Sequence, residues 1–428
     1  MKSLYWFRND LRLNDNLSLN VALEKSDEIL FVYIYDIAND KNCAWGFKRV
    51  GQHRKLFLSQ GLKELKAQLS ERGHQLNTYV DDSVSILIKL VEKYRINTIY
   101  CESIKSFDEA KQIESIKNAG IDVCSLWQSS LFMQDQLPFG IKELPNVFTD
   151  FRKRIELRDI KPHKPVSISK NIFNIDSITE GQCAMLNICP ITINYQKSSF
   201  PISHKDFIGG EKSGISYLKK YFNSENPCRY KKTRNELMGV NFSTKFSPWL
   251  SMGYISPRQV FFFLHEYEKR ETKNESTYWI FFELMWRDYF RFIFEKFGKI
   301  IFHKQGLNIF NAEVNHSTNN FNRWIRGQTK NEFINAGMVE LKETGFLSNR
   351  MRQIVASYLI NELSCDWRAG AAWFESQLID YDVYSNQCNW AYIAGCGTDP
   401  RGGRHFNVER QKEAYDPQSI YQNFWSHP

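Results

Sequence analysis

Residues 379–395 read IDYDVYSNQCNWAYIAG, a run too polar for a plain core segment and too aromatic for a solvated loop. Asp380 and Asp382 bring carboxylates, Asn386 and Asn389 bring amides, and Trp390 and Tyr392 bring oxidisable rings. These types suit contact with something polar in parts and electronically active. A second cluster, NFSTKFS at 241–247, sets Ser243, Thr244, Lys245 and Ser247 around Phe246, with Pro248 just behind. Hydroxyls, an ammonium and the N–H groups of a helix start make an anion site. Helix N-capping is the commoner use of Ser and Thr, and the spacing admits both. In ELMWRDYFRF, Glu283, Arg287 and Arg291 recur at i, i+4 and i+8 and so share one helix face, with Trp286 and Tyr289 on adjacent faces. An exposed ion-pair stripe has the same spacing. The flanks YWIFF and FRFIF are apolar, however, and charges in such a helix are costly unless they serve a cavity. Finally, TGFLSNRMRQ opens an apolar helix with Asn349, Arg350, Arg352 and Gln353, and Arg352 can pair with Asp380.

The elements that must position these groups fall into two patterns. Over 1–130, strand and helix signals alternate. KSLYWF, EILFVYIYD, NTIYCE and IDVCSL read as strands. The stretch 53–73 repeats Leu56, Leu58, Leu62, Leu65 and Leu69 at helical spacing before Gly73, and SVSILIKLVEKYRI is a further helix. Strand–helix alternation predicts a parallel sheet covered by helices. No GxGxxG or P-loop lysine is present, so this part announces no dinucleotide or nucleoside triphosphate. An open sheet of this kind takes ligands at the carboxyl ends of its strands, near Asp36 and Phe107–Glu109. Residues 131–205 are broken by Pro138, Pro145, Pro162, Pro165, Pro190 and Pro201 and read as a connector, with VFTDFRKRIEL as one helix inside it. From 206 to 428 the pattern is helical. QVFFFLHEYEKR, YWIFFELMWRDYFRFIFEKFG and RQIVASYLINELS are apolar on more than one face, as in a large bundle.

Composition bounds the function class. A chain of 428 residues exceeds one ordinary core. The net charge of +8 permits a polyanionic partner without demanding one. Nine scattered cysteines with no CxxC argue against a zinc or disulfide framework and for a reducing compartment. No apolar leader follows Met1 and no run reaches membrane-spanning length, so a cytoplasmic protein away from membranes is expected.

Taken together, WFRNDLRLNDN, STKFSPWLSMGYISPRQV, ELMWRDYFRF, TGFLSNRMRQIVASYLINEL, DWRAGAAWFESQLIDYDVYSNQCNWAY and FNVERQKEAYDP resemble the photolyase/cryptochrome family over nearly the whole chain. YKKTRNELMG and FELMWRDYFRF are most similar to its cryptochrome-DASH branch. Gln353 stands where duplex-specific pyrimidine-dimer photolyases usually have Met, and Tyr392 where they have a second Trp. The (6-4) photolyases usually carry histidines at the positions of Asn349 and Gln353.

The resemblance implies an α/β antenna domain, a linker and an all-α FAD-binding domain. It implies that Tyr230, Ser243, Thr244, Lys245, Phe246 and Ser247 hold the FAD phosphates and ribityl chain. Glu283 and Trp286 would line the cavity over the flavin, with Arg287 on the same helix face, and Asn349 and Gln353 would border flavin and lesion. Arg352 and Asp380 would pair beside the ring system, Asp382 would bond its polar edge, and Asn386 would face N5. Trp390 and Trp367 would begin an electron relay, and Glu109 would hold a 5,10-methenyltetrahydrofolate antenna.

The implied activity is blue-light electron transfer that splits cyclobutane pyrimidine dimers, chiefly in single-stranded DNA, with duplex DNA or RNA weaker partners and the chain a monomer. Arg229, Lys231, Lys232, Arg401 and Arg404 are candidates for a basic rim. The alternatives are a blue-light photoreceptor with little repair, and a flavoprotein with little photochemistry.

Two departures from the family stand out. The outer Trp of the relay aligns with Val314, and valine cannot carry a hole. In GQTKNEFINAGMVEL, Lys330, Asn331 and Glu332 replace a Gly-Tyr-Pro-like turn, Asn335 replaces an acid and Val339 an arginine, so a buried ion pair is expected to be lost.

Overall fold

The computed structural model describes residues 1–168, 175–186, 188, 197–308 and 315–426. Val314, Cys189 and Pro190 therefore lie outside the described residues. The strands β1 (Lys2–Phe7), β2 (Glu28–Asp36), β3 (Leu76–Asp81), β4 (Thr98–Glu102) and β5 (Asp122–Leu126) form a parallel sheet in the order β3-β2-β1-β4-β5. A two-residue β6 (Asp176–Ser177) runs beside β2. The crossovers are α1 (Leu17–Lys25), α2 (Gln52–Ser70), α3 (Ser83–Tyr94) and α4 (Phe107–Asn118).

Strand alternation explains the two faces. Tyr5, Phe7 and Phe31 enter one core with Leu19 of α1 and Phe57 of α2; Leu4, Trp6, Leu30 and Val32 enter another with Leu87 and Ile116 of α3 and α4. Strand order reverses between β1 and β4, so the strand ends open a crevice there. The four strands expected from sequence all form, and β3, α1 and α4 join them. β3 carries the sequence LNTYVD, whose Asn77 is buried and donates to the Phe31 carbonyl at 3.2 Å.

The chain then passes through α5 (Phe148–Leu157) into a helical array. This comprises α6 (Glu211–Phe222), α7 (Asn226–Thr233), α8 (Ser247–Ser251), α9 (Pro257–Arg270), α10 (Glu275–Phe297), α11 (Thr318–Ile325), α12 (Glu332–Thr344), α13 (Asn349–Asn361), α14 (Trp367–Gln377), α15 (Val383–Ile393), α16 (Val408–Tyr415) and α17 (Ile420–Ser426). Local chemistry sets the starts. Ser256 and Gln259 close a capping box over Pro257, and Asn274 caps the 23-residue α10. The inner sheet face shares one apolar core with α6, α9 and α10, while α11 to α15 build a second.

Polar locks fix the sheet against the helices. Arg258 of α9 bonds the buried Asp15 at 3.0 Å and the Gln128 carbonyl at 2.9 Å. Losing one partner of such a pair costs about 3–5 kcal/mol. Asp288 accepts the N–H groups of Leu131 and Phe132, each at 2.8 Å. Gly253 has φ +67°, and a Cβ there would fall 1.9 Å from the Asn9 carbonyl oxygen, so only glycine permits this approach. No helix among the described residues is long and apolar enough to cross a membrane.

Candidate functional site

A cavity of about 600 Å³ opens between α7, α8, α10, α13 and α15. At one end lies the turn 241–247. Ser243 and Lys245 adopt φ +60° and +57°, a left-handed backbone that costs a residue with a Cβ about 1–2 kcal/mol. Such strain persists where the surroundings hold it for a purpose. The hydroxyls do not cap the following helix, since α8 begins without a side-chain cap. The expected helix-start contribution is small, because α8 has only five residues.

Lys245 carries the anion-binding character instead. It is 4% exposed and lines the cavity. Among the described residues no side chain bonds its ammonium, which rests 4.9 Å from the Phe346 ring. Burial, only partly offset by Glu340 and Asp380, pushes its pKa down to about 7. An uncompensated buried cation beside free hydroxyls fits a diphosphate.

The other end of the cavity is built by α10, α13 and the segment entering α15. Arg352 holds Asp380 through two contacts at 2.9 and 3.0 Å. Asp382 caps α15 by accepting the Ser385 N–H at 2.8 Å, and its other oxygen lies 3.8 Å from Arg287. Arg287 also donates to the Ser129 carbonyl at 2.6 Å. Glu283 is paired with Arg234; burial raises its pKa and the guanidinium opposes the rise. Trp286 stacks on Phe148 of α5 at 3.7 Å and 14°, and meets Tyr392 edge-on at 5.9 Å. Arg404 lies over that tyrosine and donates to its hydroxyl at 2.7 Å.

Tyr230, Ser243, Thr244, Lys245, Phe246, Ser247, Glu283, Trp286, Arg287, Asn349, Arg352, Gln353, Asp380, Asp382 and Tyr392 therefore share one cavity wall. Asn386 and Trp390 line a recess of about 100 Å³ behind it, where the Asn386 amide donates to the Ala371 carbonyl at 3.0 Å. Trp367 lines no described cavity: it is 1% exposed and its indole donates to the Lys304 carbonyl at 3.0 Å. Of the basic rim candidates, only Arg404 reaches the cavity wall; Arg229 and Lys231 pair with Glu225 and Glu275. The shared face of α10 also divides. Arg291 leaves the cavity and is wedged between the Trp127 and Tyr384 rings, 4.7 Å from each, because Glu102 and Ser130 of the sheet side hold it there.

The structure adds Arg234, Trp279 and Phe148. Arg234 could be read four residues beyond Tyr230, on the next turn, and Trp279 seven before Trp286 on the same face of α10. Phe148 carried no such signal, since its partner lies far away in sequence.

A second cavity of about 700 Å³ lies between the sheet's strand ends and α14 and α15. Tyr33, Tyr35, Phe107, Phe302 and Tyr381 give it aromatic walls, and its charged lining includes Arg49, Arg54, Lys299, Asp108, Glu109 and Glu375. Glu109 is pushed up in pKa by burial, against the pull of Arg8 and Arg49. Ser251 lines both cavities. The segment between them alternates: Asp380 and Asp382 face the first cavity, Tyr381 and Val383 the second. One extended stretch thus supplies polar groups to one side and apolar groups to the other.

Residues 279–426 match the family model described as the FAD binding domain of DNA photolyase, and residues 3–167 match the model described as DNA photolyase. The chain is 37% identical to the Cryptochrome DASH of Idiomarina loihiensis over 429 residues, covering 99% of this chain and 92% of that one. It is 38% identical to the Cryptochrome DASH of Synechocystis sp. over 431 residues, covering 99% and 86%. The crystal structure of the Synechocystis sp. PCC6803 cryptochrome superposes with a TM-score of 0.91 at 36% identity, covering 99% of this chain and 88% of that chain.

Proposed function

The chain belongs to the photolyase/cryptochrome family, most like its cryptochrome-DASH branch, and on that premise we propose that it repairs cyclobutane pyrimidine dimers with blue light, preferring single-stranded DNA. The observation that carries the reading is the polarity of the first cavity. A buried cation without a side-chain hydrogen-bond partner among the described residues marks one end, and an aromatic wall beside a carboxyl marks the other.

FAD, held here by these residues in its reduced form, would supply on excitation the electron that opens the dimer ring, and that electron would then return to it. The residues of this chain do the rest. Lys245 neutralises diphosphate charge while Ser243, Thr244 and Ser247 donate hydroxyls to it, with Tyr230 and Phe246 alongside. Arg352, fixed by Asp380, and Asp382, fixed by the start of α15, present a donor and an acceptor to the ring's polar edge. Asn386 sits on the recess side, where an amide can turn either a donor or an acceptor toward the ring. Trp286, backed by Phe148, and Tyr392 form an aromatic wall for flipped bases to stack on, and Glu283 offers its carboxyl to their polar edge. Asn349 and Gln353 border ring and lesion. Arg404, anchored by Asp399 at 2.8 Å, holds the Tyr392 ring in place, and a base already unpaired reaches that ring without the cost of extrusion from a duplex.

In the second cavity we place the antenna, 5,10-methenyltetrahydrofolate, between its aromatic walls, with Glu109 as the acceptor for its polar ring edge. The division 1–130, 131–205 and 206–428 remains our reading of the domains, and a monomer in the cytoplasm our reading of its state.

The test is repair by purified, FAD-loaded, chemically reduced protein on dimer-containing oligonucleotides. Light-dependent repair of single strands, with duplex lagging, is the expected result. Absence of repair by fully reduced holoprotein would overturn it and leave the photoreceptor reading.

A further inference from the structure

A hole created beside the recess must travel outward through rings. Trp390 lines that recess, and its ring neighbours are Phe374 at 5.0 Å and Trp324 at 6.2 Å. A Cβ at Gly370 would lie 2.2 Å from the Trp390 ring, so this glycine makes room for the indole. Trp324 is fully buried and stacks on Phe321 at 6.1 Å and 25°. Phe321 in turn meets Trp45 at 6.4 Å. Trp45 belongs to the loop before α2, is half-buried, and lies 4.9 Å from His316. Trp367, by contrast, is 1% exposed and makes no ring contact with another described residue.

We propose that the electron path to the surface runs from Trp390 through Trp324 to Trp45, with Phe321 bridging the last step and Trp367 off the main route. The proposal rests on the FAD reading of the first cavity. Electron transfer falls off exponentially with ring separation, so the contact at 6.2 Å favours Trp324 as donor to Trp390. Phenylalanine is too hard to oxidise to hold the hole, and serves only to couple Trp324 to Trp45. Trp390 would give one electron to the photoexcited oxidised flavin, Trp324 would refill Trp390, and Trp45 would refill Trp324. The oxidised Trp45 indole would release its N–H proton to water, and the neutral radical would be restored by an external thiol, which supplies one electron and one proton and leaves as a thiyl radical that pairs to a disulfide. Trp373 is a less direct outlet, since it reaches Phe321 only through Phe47, at 5.1 and 6.3 Å.

The experiment uses FAD-loaded holoprotein with oxidised flavin and dithiothreitol under blue light, for the wild type and for Trp324→Phe, Trp45→Phe, Trp367→Phe and Trp373→Phe. Flavin photoreduction is followed by absorbance, and radicals are identified by transient absorption and freeze-quench electron paramagnetic resonance. Loss of bound FAD in the wild type would sink the cavity reading itself. With FAD retained, Trp324→Phe and Trp45→Phe are expected to slow photoreduction by roughly an order of magnitude, with a long-lived Trp45 radical only in chains that keep both residues. Trp373→Phe should change little, and Trp367→Phe should slow the reaction less than Trp324→Phe. Dithionite reduction in the dark should match wild type in all four, which separates a broken relay from a damaged fold. A larger effect from Trp367→Phe than from Trp324→Phe, or a Trp45→Phe variant that photoreduces at the wild-type rate, would overturn the proposal.

Discussion

The two cavities share Ser251 and the segment 380–383, yet they treat charge differently. In the second, the arginines are satisfied by the protein. Arg49 contacts Asp108 at 2.8 Å and Glu375 at 3.1 Å, and Arg54 donates to the Arg49 carbonyl and lies over Tyr381. In the first, Lys245 has only an aromatic ring and Arg352 has already committed to Asp380. The difference teaches what each is made for. A cavity that keeps a buried cation uncompensated is completed by an anion, whereas one whose arginines are already held by the protein offers aromatic walls and the half-buried carboxyls of Glu109 and Glu375.

The strongest break in this comparison is removal of one partner of an ion pair on each side. Asp380 is buried and its loss strands Arg352, so Asp380→Ala is expected to cost about 3 kcal/mol of stability in urea unfolding. Arg49 is about a third exposed, so Arg49→Ala should cost about 1 kcal/mol or less. Equal costs would mean that the two sites are held together in the same way.

Lys245 gives the next largest effect and a sign that is hard to imitate. Lys245→Met should weaken FAD binding by roughly ten- to a hundredfold, the value of a charge-assisted contact of about 1.5–3 kcal/mol. The empty protein should be no less stable, since a costly buried ammonium has gone. The pH dependence follows. In the empty cavity, facing Glu340, Arg352 and Asp380, the lysine loses its proton near pH 7, and a bound diphosphate raises that pKa. Affinity is therefore level below pH 7 and falls as pH rises beyond it, by up to about tenfold per unit until the bound pKa is passed. Fluorescence titration of FAD between pH 6 and 9 measures it, and Lys245→Arg should flatten the slope because arginine stays charged.

Much of this was legible in the chain, for identifiable reasons. Long helices such as α10 and the strands β1 and β2 carry strong periodicity, and the site groups sit close in sequence: Ser243 to Ser247 in one turn, Asp380 to Asn386 in one segment. What sequence hid depends on distant partners. Phe148 backs Trp286 from across 138 residues, and Arg291 is drawn out of the cavity by Glu102. The Asn335 departure shows local repair of the same kind. Its amide oxygen accepts from the Thr329 N–H at 2.8 Å and hydroxyl at 2.7 Å, and its nitrogen donates to the Thr329 carbonyl at 3.1 Å. The turn into α12 thus closes with neutral groups, where the family's wording suggested a lost ion pair.

The smallest effect sits in the second cavity and should have the opposite pH sign. Glu109 is half-buried, faces Arg8, Arg49 and Asp108, and its pKa stands above the ordinary carboxylate value because desolvation outweighs the arginines. A ligand that donates N–H groups to it binds the carboxylate form, and so lowers this pKa on binding. Affinity should then be full at neutral pH and fall as pH drops through the raised pKa of the empty cleft, the reverse of the trend at Lys245. Glu109→Gln keeps the shape and removes the charge. It is expected to cost about 1.5 kcal/mol, roughly tenfold in folate affinity, and to abolish the acid slope. FAD content should not change, because Glu109 lines no part of the first cavity. Equilibrium dialysis of methenyltetrahydrofolate against FAD-loaded protein measures both quantities in one sample. A variant that keeps wild-type folate affinity and slope would show that the carboxyl is a surrounding wall and not the recognition group. Loss of FAD together with folate would show that the segment 380–383 transmits change between cavities instead of separating them.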